Sequence, residues 1–243
     1  MPTTARGTLS RAGSETAHTT ESVLDRPVWH SLTGIHSHPG TRHGTAAAYD
    51  PEISPFAGTE GDGVEAWDDL RTLLAGRAGV LAGSPLPVPD GIRVPFQVVG
   101  YQMIARDWVG HPDPEALELG PADHAEMLDL ASRTKPGPFE KRTPEIGRYV
   151  GFRVDGKLVA MAGERLHPPG FTEISAVCTD EDFRGRGLAE RAVRTIAAGI
   201  AARGETPILH VAATNTGAIR LYERMGFVTR REIEFVGVVI PRR

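Results

Sequence analysis

The sequence predicts an α/β (α+β) protein built on a mostly antiparallel mixed sheet with flanking helices, preceded by a smaller, divergent half. Three observations carry that reading. Two extended runs, 148–154 and 157–163, are separated by Asp155-Gly156, the strongest two-residue hairpin signal in the chain. At Leu188 the apolar period changes from that of a strand to that of a helix, with Leu188, Ala189, Val193, Ile196, Ala197 and Ile200 on one stripe. Beyond that stripe, strand, helix and strand signals alternate to the end.

Taken in chain order, residues 1–26 are rich in Thr, Ser, Ala and Gly with almost no large apolar side chains, and read as a disordered tail. Order is expected from Val28-Trp29. The stretch 36–55 reads as a loop carrying three histidines. Val64, Trp67, Leu70, Leu73 and Leu74 mark a short amphipathic helix. Runs 79–81 and 96–103 read as strands divided by the Pro-rich segment 84–95. His111-Pro112-Asp113-Pro114 interrupts regular structure, so a boundary is drawn there, giving an N-terminal domain 27–115 and a C-terminal domain 116–243. Pro121-Ala122-Asp123-His124 opens a helix that continues through Leu130, and 134–139 is a turn. The hairpin and a third strand, 171–179, should form an antiparallel meander. The helix from Leu188 stops at Arg203-Gly204. Strand 208–213, helix 216–225 and strand 227–240 follow.

Composition bounds the function. A chain of 243 residues can bury a substantial core, and 40% hydrophobic with 24% charged residues is ordinary for a globular protein. A net charge of -4 and a pI of about 6.1 argue against a nucleic acid or an anionic membrane as partner. No apolar stretch reaches the roughly 20 residues that span a bilayer, and no secretory signal is read at the start. Cys178 is the single cysteine, so no internal disulfide forms, and a cytoplasmic monomer or homodimer is expected. Cys178 itself reads as a small buried side chain, with no partner histidine to activate it. His36, His38 and His43 match no zinc spacing, so a solvated loop and no metal are expected. His210 reads as a structural histidine.

Chemistry concentrates in Arg184-Gly185-Arg186-Gly187-Leu188-Ala189. Two glycines around a basic residue, with a helix starting at once, let successive backbone N–H groups face outward. The positive end of the helix dipole and two guanidinium groups complete a seat for phosphate oxygens. No Walker lysine or serine follows, and the preceding run is acidic rather than glycine-rich, so neither usual nucleotide loop is met. Alone, the hexapeptide fits an ordinary strand-to-helix turn equally well.

Residues 178–189 resemble the acyl-CoA signature of the GNAT N-acyltransferases, an Arg or Gln, two residues, Gly, one residue, then Gly or Ala, here Arg184, Gly187 and Ala189. Asn215 through Phe227 resembles the closing motif of the same family, with Asn starting a helix and Leu221-Tyr222 followed by Gly226-Phe227 ending it. The two motifs occur in the expected order over roughly 116–243. The half before it matches poorly and is read as a degenerate GNAT-like unit or a separate lid. One departure is Thr179-Asp180-Glu181, where many members carry a hydrophobic residue, any residue and Pro.

The resemblance implies acetyl-CoA as co-substrate, without a metal, and an amine acceptor that is a small molecule or a protein amino group. The diphosphate would lie on Arg184 and the amides of Gly185, Arg186, Gly187, Leu188, Ala189 and Glu190. The pantetheine arm would pair with the strand edge at Val177, Cys178 and Thr179, where an amide also polarises the thioester carbonyl. Asn215 would hold the arm from the opposite wall, while also suiting a helix N-cap. Tyr222 is either the general acid for the departing thiolate or a core-facing helix residue. Glu173 is the first candidate base, with its pKa raised by an apolar cleft, or a plain strand residue; Glu164 is the second. The activity implied is N-acetyl transfer by direct attack in a ternary complex. The alternative is a non-catalytic acyl-CoA-binding or regulatory module.

Overall fold

A computed structural model of the chain describes residues 21–106 and 110–241. The first half runs α1 (Pro27–Leu32), β1 (Gly40–His43), β2 (Ala46–Tyr49), β3 (Ala57–Thr59), α2 (Val64–Leu73), β4 (Ala78–Gly83) and β5 (Arg93–Ala105). The second runs β6 (Leu117–Leu119), α3 (His124–Thr134), β7 (Tyr149–Val154), β8 (Lys157–Glu164) and β9 (Phe171–Thr179). It ends with α4 (Leu188–Ala202), β10 (Thr206–Ala212), α5 (Thr216–Arg224) and β11 (Phe227–Val239).

The hairpin signal is realised as written: β7 and β8 pair antiparallel with Val154 opposite Lys157, and both turn residues take left-handed φ, 49° at Asp155 and 79° at Gly156. Strand β9 extends the meander antiparallel, and α4 then carries the chain over the sheet so that β10 returns parallel to β9. The stripe that defined α4 explains its position. Leu188, Ala192, Val193, Ile196, Ala197 and Ile200 are buried against Val150, Phe152, Ala160, Ala162, Ile174 and Leu209. Each fully buried Val, Leu or Ile there is worth about 1.5–3 kcal/mol. The opposite face is covered by α3, whose Met127, Leu130 and Ala131 meet Tyr149, Leu158, Met161, Ala176 and Cys178.

The boundary drawn near residue 115 divides the chain but not the sheet. Eight strands are ordered β4-β11-β5-β10-β9-β8-β7-β6, so two strands of the first half lie inside the sheet of the second. Strand β5 is wedged between β10 and β11, antiparallel to both, and β4 closes the outer edge of β11. A three-stranded sheet, β1-β2-β3, joins this array through one parallel bridge between Phe56 and Val80.

Two sequence expectations need correction. The stretch 36–55 contains β1 and the whole of β2, the buried run Ala46-Ala47-Ala48-Tyr49, rather than an extended loop. His36 is buried rather than solvated: its Nδ1 lies 2.8 Å from the Tyr49 hydroxyl and its Nε2 3.1 Å from the Ile146 carbonyl. Residues 1–20 of the expected tail lie outside the described residues, but 21–26 are tied down. Leu24 is 0% exposed, and its carbonyl accepts from Gln102 Nε2 at 2.8 Å. Arg230 and Arg231 both pair with Asp25. Among the described residues no helix is long and apolar enough to cross a membrane.

Candidate active site

The parallel pairing of β9 with β10 stops early. It runs from Phe171 opposite Thr206 to Ile174 opposite Leu209. Beyond that point β9 stays with β8 as far as Thr179, and β10 stays with β5 as far as Ala212. The two strands therefore part and open a cleft in the sheet. A bulge helps to open it: the β8–β9 register shifts between Met161 and Gly163, and Ala176 takes φ 53°, a conformation uncommon for a non-glycine residue.

Past the bulge, Asp180 donates its N–H to the Val159 carbonyl on β8 at 2.8 Å. Alternation along the strand turns the amide of Cys178 to the same side, and those of Val177 and Thr179 toward the cleft. Cys178, expected among the backbone contacts, is thus turned away. Its side chain is buried under α3, and burial pushes the thiol up to about 11, which leaves it inert. Among the described residues, Thr179 Oγ1 is buried with no hydrogen-bond partner.

At the end of β9 the glycine loop has the conformation its composition called for. Gly185 and Gly187 sit at φ 76° and 74°, and Gly187 is the N-cap of α4. Arg191 is the first residue of the helix to return a bond to Gly187. Among the described residues, the amides from Gly185 to Glu190 meet no protein acceptor. Arg184 and Arg186 are exposed with no carboxylate partner among the described residues, and Arg186 rests over the Phe183 ring at 4.9 Å. A row of open donors at the start of a long helix, beside two such cations, suits a diphosphate.

Of the acidic pair that replaces the usual hydrophobic-x-Pro, Asp180 is already compensated by other cations. Asp180 is bound by Lys157 at 2.9 Å and by Arg133 at 2.7 Å, and those bonds hold its carboxyl down at about 2. Its Oδ1 also accepts from the Asp182 amide, which fixes the turn into the loop.

On the far wall, the Asn215 side chain caps α5 by accepting from the Ala218 amide at 3.2 Å. One helical stretch later, Tyr222 is 7% exposed and stacks edge-on to Phe227 at 6.0 Å. Burial pushes its phenol up to about 12, so it remains protonated across the neutral range. Both residues thus stand on the helix that follows β10.

Glu173 differs most from expectation. It is 0% exposed, and Arg165 binds it through both oxygens, at 2.9 and 2.6 Å. His210 Nδ1 lies 2.7 Å from Glu173 Oε1. Burial alone would raise its pKa, but the Arg165 charge and the hydrogen bonds of Arg165 and His210 outweigh it and hold the carboxyl well below the carboxylate range. The tautomer of His210 follows from its neighbours. Arg230 can only donate, so Gln102 Oε1 accepts from it, which makes Gln102 Nε2 the donor to Leu24 O and to His210 Nε2. His210 therefore carries its proton on Nδ1 and donates it to Glu173. The result is a closed ion pair with a neutral histidine, not a carboxylate poised near neutrality. Glu164 is also held, by Arg203 at 3.0 Å. Sequence reasoning found Glu173 and His210 separately. Arg165, which closes the pair, carried no motif.

A meander, a crossover helix opening on a row of free backbone amides, and a parallel pair that splays beside it define the acyl-CoA N-acyltransferase class of fold. The comparisons agree. The family model described as FR47-like protein matches residues 149–236. A solved GNAT-family structure from Novosphingobium aromaticivorans DSM 12444 is 42% identical, with a TM-score of 0.83, over 90% of this chain and 98% of that one. A GCN5-related N-acetyltransferase from Kribbella flavida shares the fold at 19% identity, TM-score 0.59, over 92% and 96% of the two chains. Among curated proteins, mycothiol acetyltransferase of Mycolicibacterium paratuberculosis (strain ATCC BAA-968 / K-10) is 30% identical over 45% of this chain and 44% of its own length. The N-alpha-acetyltransferase RimI of Mycobacterium tuberculosis (strain ATCC 25618 / H37Rv) is 38% identical over 32% of this chain and 51% of its own. The chain spans about half the length of the curated relatives it matches. It belongs to the GNAT family.

Proposed function

We propose that the protein transfers an acetyl group from acetyl-CoA to a primary amine, by direct attack within a ternary complex. The observation that carries this reading is the open row of amides from Gly185 to Glu190 beside the splay of β9 from β10. The diphosphate of the co-substrate suits that row, with Arg184 and Arg186 at its edge. Its amide-bearing arm suits the cleft-side backbone of Val177 and Thr179, as an added strand. The nitrogen lone pair attacks the thioester carbonyl, whose developing oxyanion is met by a cleft-side amide of β9. The carbon–sulfur bond breaks, and the Tyr222 phenol gives its proton to the departing sulfur.

Neither candidate carboxylate stands free to take the proton from nitrogen. The acceptor therefore enters as the neutral amine, and the amine's proton passes to water in the cleft. The rate should rise with pH through the acceptor's own pKa rather than through that of a protein carboxylate. The test follows thiol release from acetyl-CoA with a chromogenic thiol reagent across a panel of small amines and peptide N-termini. Turnover with at least one acceptor is expected, and Tyr222→Phe should lower kcat at least tenfold while acetyl-CoA binding persists. No turnover with any acceptor, alongside firm acetyl-CoA binding, would instead favour a non-catalytic acyl-CoA-binding module. Unchanged turnover in Tyr222→Phe would remove the acid role.

A further inference from the structure

The element order of the second half occurs twice. There, a hairpin with a two-residue turn (β7–β8) is followed by antiparallel β9, a glycine loop, α4, parallel β10 and the 13-residue β11. In the first half the hairpin β1–β2 turns at Gly44-Thr45 and antiparallel β3 follows. Glu60-Gly61-Asp62-Gly63 then leads into α2, β4 makes a parallel bridge to Phe56, the residue just before β3, and β5 is also 13 residues long. The two last strands are exchanged. β5 pairs with β10 of the other half, β11 pairs with β4, and β5 and β11 pair antiparallel with each other. The halves are thus related by a pseudo-twofold between β5 and β11.

We propose that the first half is a second acyl-CoA unit whose seat has been converted into a clasp for the chain's own Arg26, so that the protein takes up one acyl-CoA, at Gly185–Glu190. This rests on the function proposed above. Three differences between the two loops support it. First, the charge is inverted. Arg184 and Arg186 flank Gly185, whereas Glu60 and Asp62 flank Gly61. At either acidic position a phosphate would meet repulsion instead of a cation. Second, the backbone differs. Gly185 and Gly187 are left-handed, which turns their amides together, whereas Gly63, the N-cap of α2, is extended at φ -70°, ψ 171°.

Third, the position is already filled. Arg26 Nη2 lies 2.5 Å from Asp62 Oδ2, and Nη1 donates to the Thr59 carbonyl at 3.4 Å. The guanidinium therefore spans the end of β3 and the loop, where the other half presents its anion seat. In addition, the counterpart of α5, with its Asn and Tyr, is missing. The connection from β4 to β5 is the Pro-rich segment 84–92, which forms no helix.

Titration calorimetry of the full chain with acetyl-CoA tests this. The wild type should bind about one acetyl-CoA per chain. Arg184→Glu with Arg186→Glu should weaken it at least tenfold and reveal no remaining site. Glu60→Gln with Asp62→Asn should leave the affinity within about twofold. A stoichiometry of two, or an undiminished site in the Arg184/Arg186 variant, overturns the inference while leaving acetyl-CoA binding intact. A marked loss in the Glu60/Asp62 variant, with its circular dichroism unchanged, also overturns it. No binding by the folded wild type overturns the proposed function and this inference with it.

Discussion

Replacing Glu173 by Gln distinguishes a structural ion pair from a catalytic base, because the two roles move different observables. The partners are sealed: the side chains of Arg165 and Glu173 are 8% and 1% exposed. Glutamine keeps an oxygen for the His210 Nδ1–H but removes the negative charge, leaving the Arg165 guanidinium buried and uncompensated. Breaking one side of a buried pair costs roughly 3–5 kcal/mol. For a chain of this size each kcal/mol is worth about 2–4 °C in Tm. The expected fall is therefore roughly 6–20 °C, read by differential scanning fluorimetry or calorimetry near pH 7.

A companion variant isolates the charge. Arg165→Met added to Glu173→Gln removes the orphaned cation, keeps the acceptor for His210, and should restore more than half of the loss. The pH dependence carries the sign. The folded-state pKa of Glu173 lies below its unfolded value, so the pair's contribution is fully present above that unfolded value, about 4.3. It is lost only as the pH falls below about 4 toward the depressed folded value. Wild type and Glu173→Gln should thus differ by a constant amount from pH 5 to 8 and converge in stronger acid. A Glu173→Gln protein with Tm within about 2 °C of wild type, yet with turnover sharply lowered and the acidic limb of its rate profile gone, would refute this and restore Glu173 as the base.

Two other perturbations test the architecture. Gly187→Val places a β-branched residue at φ 74°, a cost of roughly 1–3 kcal/mol; acetyl-CoA affinity by calorimetry should fall at least tenfold, whereas Gly199→Ala in the same helix should leave it near wild type. A fragment of residues 116–243 leaves β10 and β11 without the strand between them; it should lack a cooperative thermal transition by circular dichroism, and a cooperative transition like that of the full chain would show that β5 is dispensable.

Local patterns were legible wherever a local rule governs the outcome. The Asp155-Gly156 turn and the α4 stripe are each fixed by a few adjacent residues, and each is where the sequence places it. The missed strand β2 had a local signal as well, in the apolar run Ala46-Ala47-Ala48-Tyr49 between Gly44 and Asp50-Pro51. It was obscured by the surrounding Gly, Pro and His. The ion pair of Glu173 had no such signal. Arg165 is eight residues away along the chain and His210 37, and only strand pairing brings the three together.

The amino-acid order alone determined that the second half is a meander, a crossover helix and a closing strand, with a glycine loop at the helix start. Turn chemistry, apolar period and glycine φ act over a few residues and need no knowledge of the rest of the chain. Tertiary structure alone decided that β5 of the first half completes the sheet of the second, that the ionised Glu173 is paired with Arg165, and that Arg26 lies against the acidic loop. Strand exchange and charge pairing are settled by which surfaces meet in space, and the energy of a buried charge depends on the partner that arrives there.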